Sequence, residues 1–158
     1  MIVKSNLPYY LYRTANTLYR WKIPVIPFLI QQFLRFVFSC FIPYKTRIGT
    51  KNIHFGHNGL GVVLDYRCVI GNDVRIDQQV TIGIRWDEQS APIIGNNVRI
   101  GAGAKVLGSI RIGNNARIGA NAVVLTDVPD GATAVGVPAR ILLKRENDRG
   151  EAGLTKTT

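Results

Sequence analysis

Both imidazoles of the 158-residue chain, His54 and His57, fall in one stretch, NIHFGHNGLGVVLDY. Imidazole changes charge nearest neutral pH, so these two residues are the first candidates for a general base. His57 is the stronger candidate. It precedes the Gly59–Gly61 pair and an apolar run, where a bare backbone lets a ligand approach closely. The alternative for either residue is a solvated turn position. Asp65, the nearest acid in sequence, is the candidate carboxylate to orient His57, with simple surface solvation as its alternative. Two histidines three apart without a nearby cysteine or carboxylate do not form a metal site, so no metal is expected. Cys40 and Cys68 sit in apolar runs and offer neither metal-ligand spacing nor a disulfide framework, which fits a reducing, cytoplasmic setting.

A period of six must position these groups. Ile70, Ile76 and Ile82, then Ile94, Ile100, Val106, Ile112, Ile118 and Val124, lead successive hexads, and six of these nine are followed by Gly. Four residues after the leaders stand Val74, Val80, Val98, Ala104, Ile110, Ala116, Ala122 and Val128; only Trp86 breaks that column. Apolar spacing of four, two, four, two suits no helix face and no long buried strand. It predicts an all-β fold, a parallel β-helix of hexapeptide repeats in which three hexads wind one 18-residue coil. Leaders point inward and stack coil on coil about 4.8 Å apart. Glycines after the leaders are expected to let the chain turn the corners. Arg75, Arg99, Lys105, Arg111 and Arg117 take the outward sixth position, where a solvated charge column is expected in any case.

The repeat also shows its interruptions. Residues 84–92, in IRWDEQSAPI, predict an extruded loop whose Trp86 and Asp87 could bound an acceptor site; Trp86 suits stacking on a sugar ring. The segment from Arg47 to Leu64 fits hexads loosely and predicts imperfect first coils. The expected organisation is an N-terminal helical segment over 1–45, the β-helix over 46–145 and a flexible polar tail over 146–158.

Charge is unevenly spread. Residues 1–64 hold eight Lys/Arg and no acid, whereas residues 65–158 hold twelve against ten, out of a total of +10. Such asymmetry points to an anionic membrane surface, a phosphate-bearing ligand or nucleic acid. Residues 7–44 also carry five of the six tyrosines, and the apolar run 28–42 is too short to span a bilayer. Two readings stay open: short helices packed on the prism or on a neighbouring subunit, or a peripheral anchor through residues 1–44 on the inner membrane face. The opening residues show no cleavable signal pattern.

The stretches IGNDVRIDQQVTIG and APIIGNNVRIGAGAKVLGSIRIGNNARIGANAVVLTDVPDGATAVGVPARIL resemble the serine acetyltransferase branch of the hexapeptide-repeat acyltransferases over residues 46–144. The resemblance implies a left-handed β-helix, a homotrimer, and acetyl-CoA bound as cosubstrate in grooves between subunits. It places His57 as the base and Asn58 beside it at the acceptor. Gly83, Ala102 and Ala120 would line the CoA groove, with Arg117 beside it and Arg140 and Lys144 as phosphate partners. Counted from the downstream hexads, Asn58 rather than His57 falls in the base's column. A one-residue slip in an imperfect coil explains this, because Asn cannot act as a base. The chain departs from the family pattern in three ways: Gly56 stands where an Asp precedes the base, Ser90–Pro92 replace a second His, and the N-terminal segment is too short for the family's large helical domain. These departures, with the aromatic basic N-terminus, make the chain resemble short O-acetyltransferases of capsule, exopolysaccharide or lipopolysaccharide synthesis. The expected acceptor is therefore a sugar or lipid-linked sugar hydroxyl. The alternatives are serine O-acetylation for cysteine synthesis, and a non-enzymatic trimeric scaffold or polyanion-binding protein. No aromatic stacking platform recurs along the hexads, so nucleic acid is not an expected partner.

Overall fold

The computed structural model describes residues 6–23, 25–86 and 88–143. Asp87, Lys144 and the tail over 146–158 lie outside the described residues. Two helices come first, α1 (Leu7–Arg20) and α2 (Val25–Val37). Four coils follow. The first holds β1 (Arg47–Ile48), β2 (His54–Phe55) and β3 (Val63–Leu64); the second holds β4 (Val69–Ile70), β5 (Arg75–Ile76) and β6 (Thr81–Gly83). The third holds β7 (Ile93–Ile94), β8 (Arg99–Ile100) and β9 (Lys105–Leu107); the fourth holds β10 (Arg111–Ile112), β11 (Arg117–Ile118) and β12 (Val123–Val124). β13 (Thr133–Val135) and β14 (Arg140–Leu142) close the chain.

The coils stack into three parallel sheets, ordered β1-β4-β7-β10, β2-β5-β8-β11-β13 and β3-β6-β9-β12. This is the parallel β-helix expected from the repeat, left-handed as the resemblance implies. Every hexad leader from Ile70 to Val124 is buried, and so is the fifth-position column Val74, Val80, Val98, Ala104, Ile110, Ala116 and Ala122. Val128 departs from its expected place. It bridges Ile112 and so stands in the leading column, because the last corner is two residues shorter than the regular ones. The closing VGVPAR motif folds β14 antiparallel onto β13, covering that sheet's last edge.

The glycines after the leaders serve a purpose other than the expected one. Positive φ falls two residues later, at Asp73, Gln79, Asn97, Gly103, Asn115 and Asn121. The leader glycines are instead needed for close stacking: a Cβ on Gly101 would lie 2.7 Å from the Ala120 nitrogen, and one on Gly71 would lie 2.6 Å from the Gly95 oxygen. One corner is tied by a side-chain ladder. The Oδ1 of Asn96 accepts from the Asn72 nitrogen at 2.8 Å, that of Asn114 from Asn96 at 2.9 Å, and that of Asp130 from Asn114 at 2.8 Å.

Below the first coil Phe41 bridges Val63 on the β3 face, and α1 covers the β1 and β2 faces. Tyr9 Oη donates to the Gly49 oxygen at 2.8 Å, Tyr12 Oη to the Thr46 oxygen at 2.6 Å, and Asn16 Nδ2 to the Tyr44 oxygen at 2.7 Å. Asn6 donates to the Ile53 oxygen and accepts from the Phe55 nitrogen. These bonds satisfy backbone groups that an uncovered edge coil would leave open. Beneath them Tyr9, Tyr12, Leu34 and Cys40 continue the core of Ile42, Ile53 and Phe55. Of the two readings of residues 7–44, α1 thus packs on the prism. Cys40 and Cys68 are buried free thiols, and burial pushes them up to about 11 and about 12, respectively.

Candidate active site

His57 lies at the corner between the β2 sheet and the β3 sheet. In regular coils three residues make this corner: 77–79 between Ile76 and Val80, 101–103 between Ile100 and Ala104, 119–121 between Ile118 and Ala122. In the first coil Phe55 pairs with Ile76 and Val63 with Thr81, so six residues, 56–61, occupy the same corner. Gly61 takes the positive-φ place of Gln79, Gly103 and Asn121, which leaves His57, Asn58 and Gly59 as a three-residue insertion. The expected one-residue slip is therefore corrected. Neither His57 nor Asn58 stands in a hexad column, and the question of which occupies it disappears.

The insertion is a left-handed turn. His57 (φ 47°, ψ 43°) and Asn58 (φ 54°, ψ 29°) both lie in the left-handed region, followed by Gly59 at φ 72°. Two consecutive non-glycine residues there cost on the order of 1 kcal/mol each, so the surroundings must hold them. Three contacts do. The Gly61 nitrogen donates to the Ser39 oxygen at 3.0 Å, the Val62 nitrogen to the Gly59 oxygen at 2.8 Å, and Gly59 seats against Phe55 and Cys40. His57 is thereby presented outward, its side chain exposed on a fixed turn, with Asn58 half-buried beside it.

Asp65 does not reach this corner. It follows β3 at the opposite end of that strand, where Arg67 takes its carboxylate through Nη2 at 2.8 Å and through Nε and the backbone nitrogen at 2.9 Å. Hydrogen bonds from Arg67 hold the Asp65 carboxyl below the usual carboxylate range. Asp65 as the partner of His57 is thus corrected, because its lone pairs are already used locally. The acid that does stand beside the turn is Asp77, one coil up. A Cβ on Gly56 would lie 2.6 Å from Asp77 Oδ1, and Arg75 Nε steadies that oxygen at 2.9 Å. Asp77 had a signal in the sequence: it follows the leader Ile76, where six of the other eight leaders are followed by glycine.

Along the same corner the structure gathers part of the expected set. Ala102 and Ala120 take the middle positions of the next two corners, joined by the Asn121 nitrogen donating to the Ala102 oxygen at 2.8 Å. Beside them Arg75, Arg99 and Arg117 stand in register on the β2 sheet. Arg75 is paired with Asp77; Arg99 and Arg117 make no ion pair among the described residues and are exposed, an arrangement that suits phosphate oxygens. Arg140 lies exposed on β14 of the same sheet.

The rest of the expected set is elsewhere. Gly83 ends β6 at the corner next to Asp65, from which the loop after it leaves the prism. That loop holds six residues more than the corresponding corner after Leu107, as expected for 84–92. Glu88 pins it, accepting from the Ser109 nitrogen and pairing with Arg85 at 3.5 Å. Trp86 is fully exposed at 101% and touches neither histidine's corner. Gly83 and Trp86 are thus separated from His57, Ala102 and Ala120 by the width of the β3 sheet, and one chain does not bring the two sets together. Among the described residues no His, Cys, Asp or Glu group could hold a metal ion.

Similarity to known proteins now bears on this site. The family described as bacterial transferase hexapeptide (six repeats) matches residues 91–126. The chain is 42% identical over 135 residues to the serine acetyltransferase of Helicobacter pylori strain J99, covering 84% of this chain and 78% of that protein. It is 42% identical to the enzyme so named from Synechococcus elongatus, covering 54% of it, and 40% identical to that of Bacillus subtilis, covering 61%. The chain therefore spans somewhat over half the length of these two relatives. Among solved structures, soybean serine acetyltransferase complexed with serine superposes with a TM-score of 0.81 at 40% identity, covering 89% of this chain and 58% of that one. A serine acetyltransferase in complex with CoA superposes at 0.76 with 39% identity, covering 85% and 55%. These findings overturn the expected sugar acceptor and the polysaccharide-synthesis branch. Relatives at 40–42% identity are named serine acetyltransferase.

Proposed function

The chain belongs to the serine acetyltransferase family of hexapeptide-repeat transferases, and from that premise we propose that it transfers the acetyl group of acetyl-CoA to the hydroxyl of L-serine. The observation that carries the proposal is the three-residue insertion at the β2–β3 corner, which costs backbone strain and presents a histidine. His57 takes the hydroxyl proton as the serine oxygen attacks the thioester carbonyl. The tetrahedral intermediate then collapses, the C–S bond breaks, and the imidazolium returns the proton to the CoA sulfur. Backbone N–H groups of the glycine-containing corners hold the developing oxyanion, a contribution of about 3 kcal/mol where such donors are preorganised. Arg99 and Arg117 receive CoA phosphates along the groove.

Asp77 takes the part that the resemblance gives to an Asp directly before the base. A Cβ on residue 56 would crowd Asp77 Oδ1 at 2.6 Å, so in this reading the negative charge is kept at the turn while its origin moves up one coil. In this reading Asp77 faces the serine ammonium group. Three copies complete the site, the corner at Gly83 and the loop with Trp86 from one copy meeting the His57 corner of the next. Thiol release from acetyl-CoA, followed with and without L-serine, tests the reading. Serine-dependent release lost in His57→Ala is the expected result. A folded chain that releases no CoA in response to serine overturns it.

A further inference from the structure

Helix α2 has an outer face that contradicts its position. Pro27 and Leu34 are buried, and Ile30 packs against the core. The opposite side bears Val25, Leu29, Phe33 and Phe36, with Ile26, Phe28 and Val37 flanking them, all exposed and Phe36 at 80%. Only Gln32 and Arg35 interrupt it. A helix with an apolar outer stripe is covered by something, since removing water from such a surface is favourable in proportion to its area.

Charge selects the cover. No acid occurs before Asp65, and the described part of the cap carries Arg13, Arg20, Lys22, Arg35 and Lys45. Between α1 and the β1 sheet lies a groove of about 480 Å³ lined in part by Arg20, Lys45 and Arg47. A second copy laid face to face on this cap would set cations against cations, whereas an anionic bilayer complements them. Trp21, 70% exposed, and Tyr10, 63% exposed, add the amphipathic rings suited to a membrane–water boundary. No helix among the described residues is long and apolar enough to cross a membrane. We infer that the outer face of the helical cap docks on anionic lipid, with α2 lying in the plane of the interface and the basic side chains of the cap meeting phosphate headgroups.

Co-sedimentation of the full chain with phosphatidylcholine–phosphatidylglycerol vesicles, against phosphatidylcholine alone, tests this. Binding to the mixed vesicles exceeds that to neutral ones by about tenfold and weakens as salt rises. Phe33→Ser with Phe36→Ser lowers it by about tenfold at unchanged melting temperature and serine-dependent turnover. A measurement on the intact apolar face stands beside it: in a Trp86→Phe background, brominated lipid quenches Trp21 fluorescence. Equal or absent binding to both vesicle types overturns the inference. So does a changed sedimentation coefficient of the serine variant without vesicle binding, which assigns the face to a second copy.

Discussion

Two versions of one corner lie one above another in this molecule. At residues 77–79, 101–103 and 119–121 the chain turns in three residues with one positive φ, and the outer surface is flush. At residues 56–61 it takes six residues, adds a left-handed turn and projects an imidazole. The regular corners carry stability through close backbone stacking. The irregular one gives up some of that stacking to hold a reactive side chain away from the sheet. A repeat offers identical environments along its length, so chemistry that needs one particular environment has to come from a local departure.

The largest expected effect comes from removing the base. His57→Ala lowers the serine-dependent rate by about a hundredfold to ten-thousandfold with the melting temperature unchanged, measured by thiol release and calorimetry. His54→Ala, three residues earlier on β2, is expected to change the rate by less than about tenfold, which separates the inserted turn from its neighbour. Next is Asp77→Asn, expected to raise the KM for serine by about tenfold or more while leaving that for acetyl-CoA unchanged, since it removes a charge from a charge-assisted hydrogen bond. In the regular corners Gly101→Ala places a methyl 2.7 Å from the Ala120 nitrogen and lowers stability by about 1–3 kcal/mol in denaturant titration. The smallest change is Asp65→Asn. The folded Asp65 carboxyl titrates below its unfolded value, so its stabilisation is present above the unfolded pKa and is lost as pH falls through the folded one. Melting temperatures of Asp65→Asn and the parent chain therefore differ slightly at neutral pH and converge below about pH 4, while turnover stays within about twofold because Asp65 serves Arg67 rather than His57.

The regular part of the fold was legible because burial selects residue type at fixed spacing: Ile and Val at leaders, small residues four later, arginine outward. What was hidden followed from position in space rather than type. Phe55 takes the leading place on β2, yet hexad counting from Ile70 lands on Asn58, since counting cannot tell which three residues leave the ladder. Asp65 is near His57 in sequence and far in the prism, whereas Asp77, twenty residues on, stands one coil away. Glycine after six of the nine leaders suggests turning, but the structure shows close approach, two causes that leave the same residue. The sugar acceptor, which rested on side chains this chain lacks, is overturned by relatives named for serine, and a neighbouring coil places a carboxylate beside the same turn.

Excising His57, Asn58 and Gly59 tests the central claim most directly, because the Gly56-Leu60-Gly61 corner that remains matches the length of Asp77-Gln78-Gln79. The account predicts a chain that melts at or above the parent temperature and releases no CoA in response to serine. A trimmed chain that folds and still turns over serine at the parent rate contradicts it.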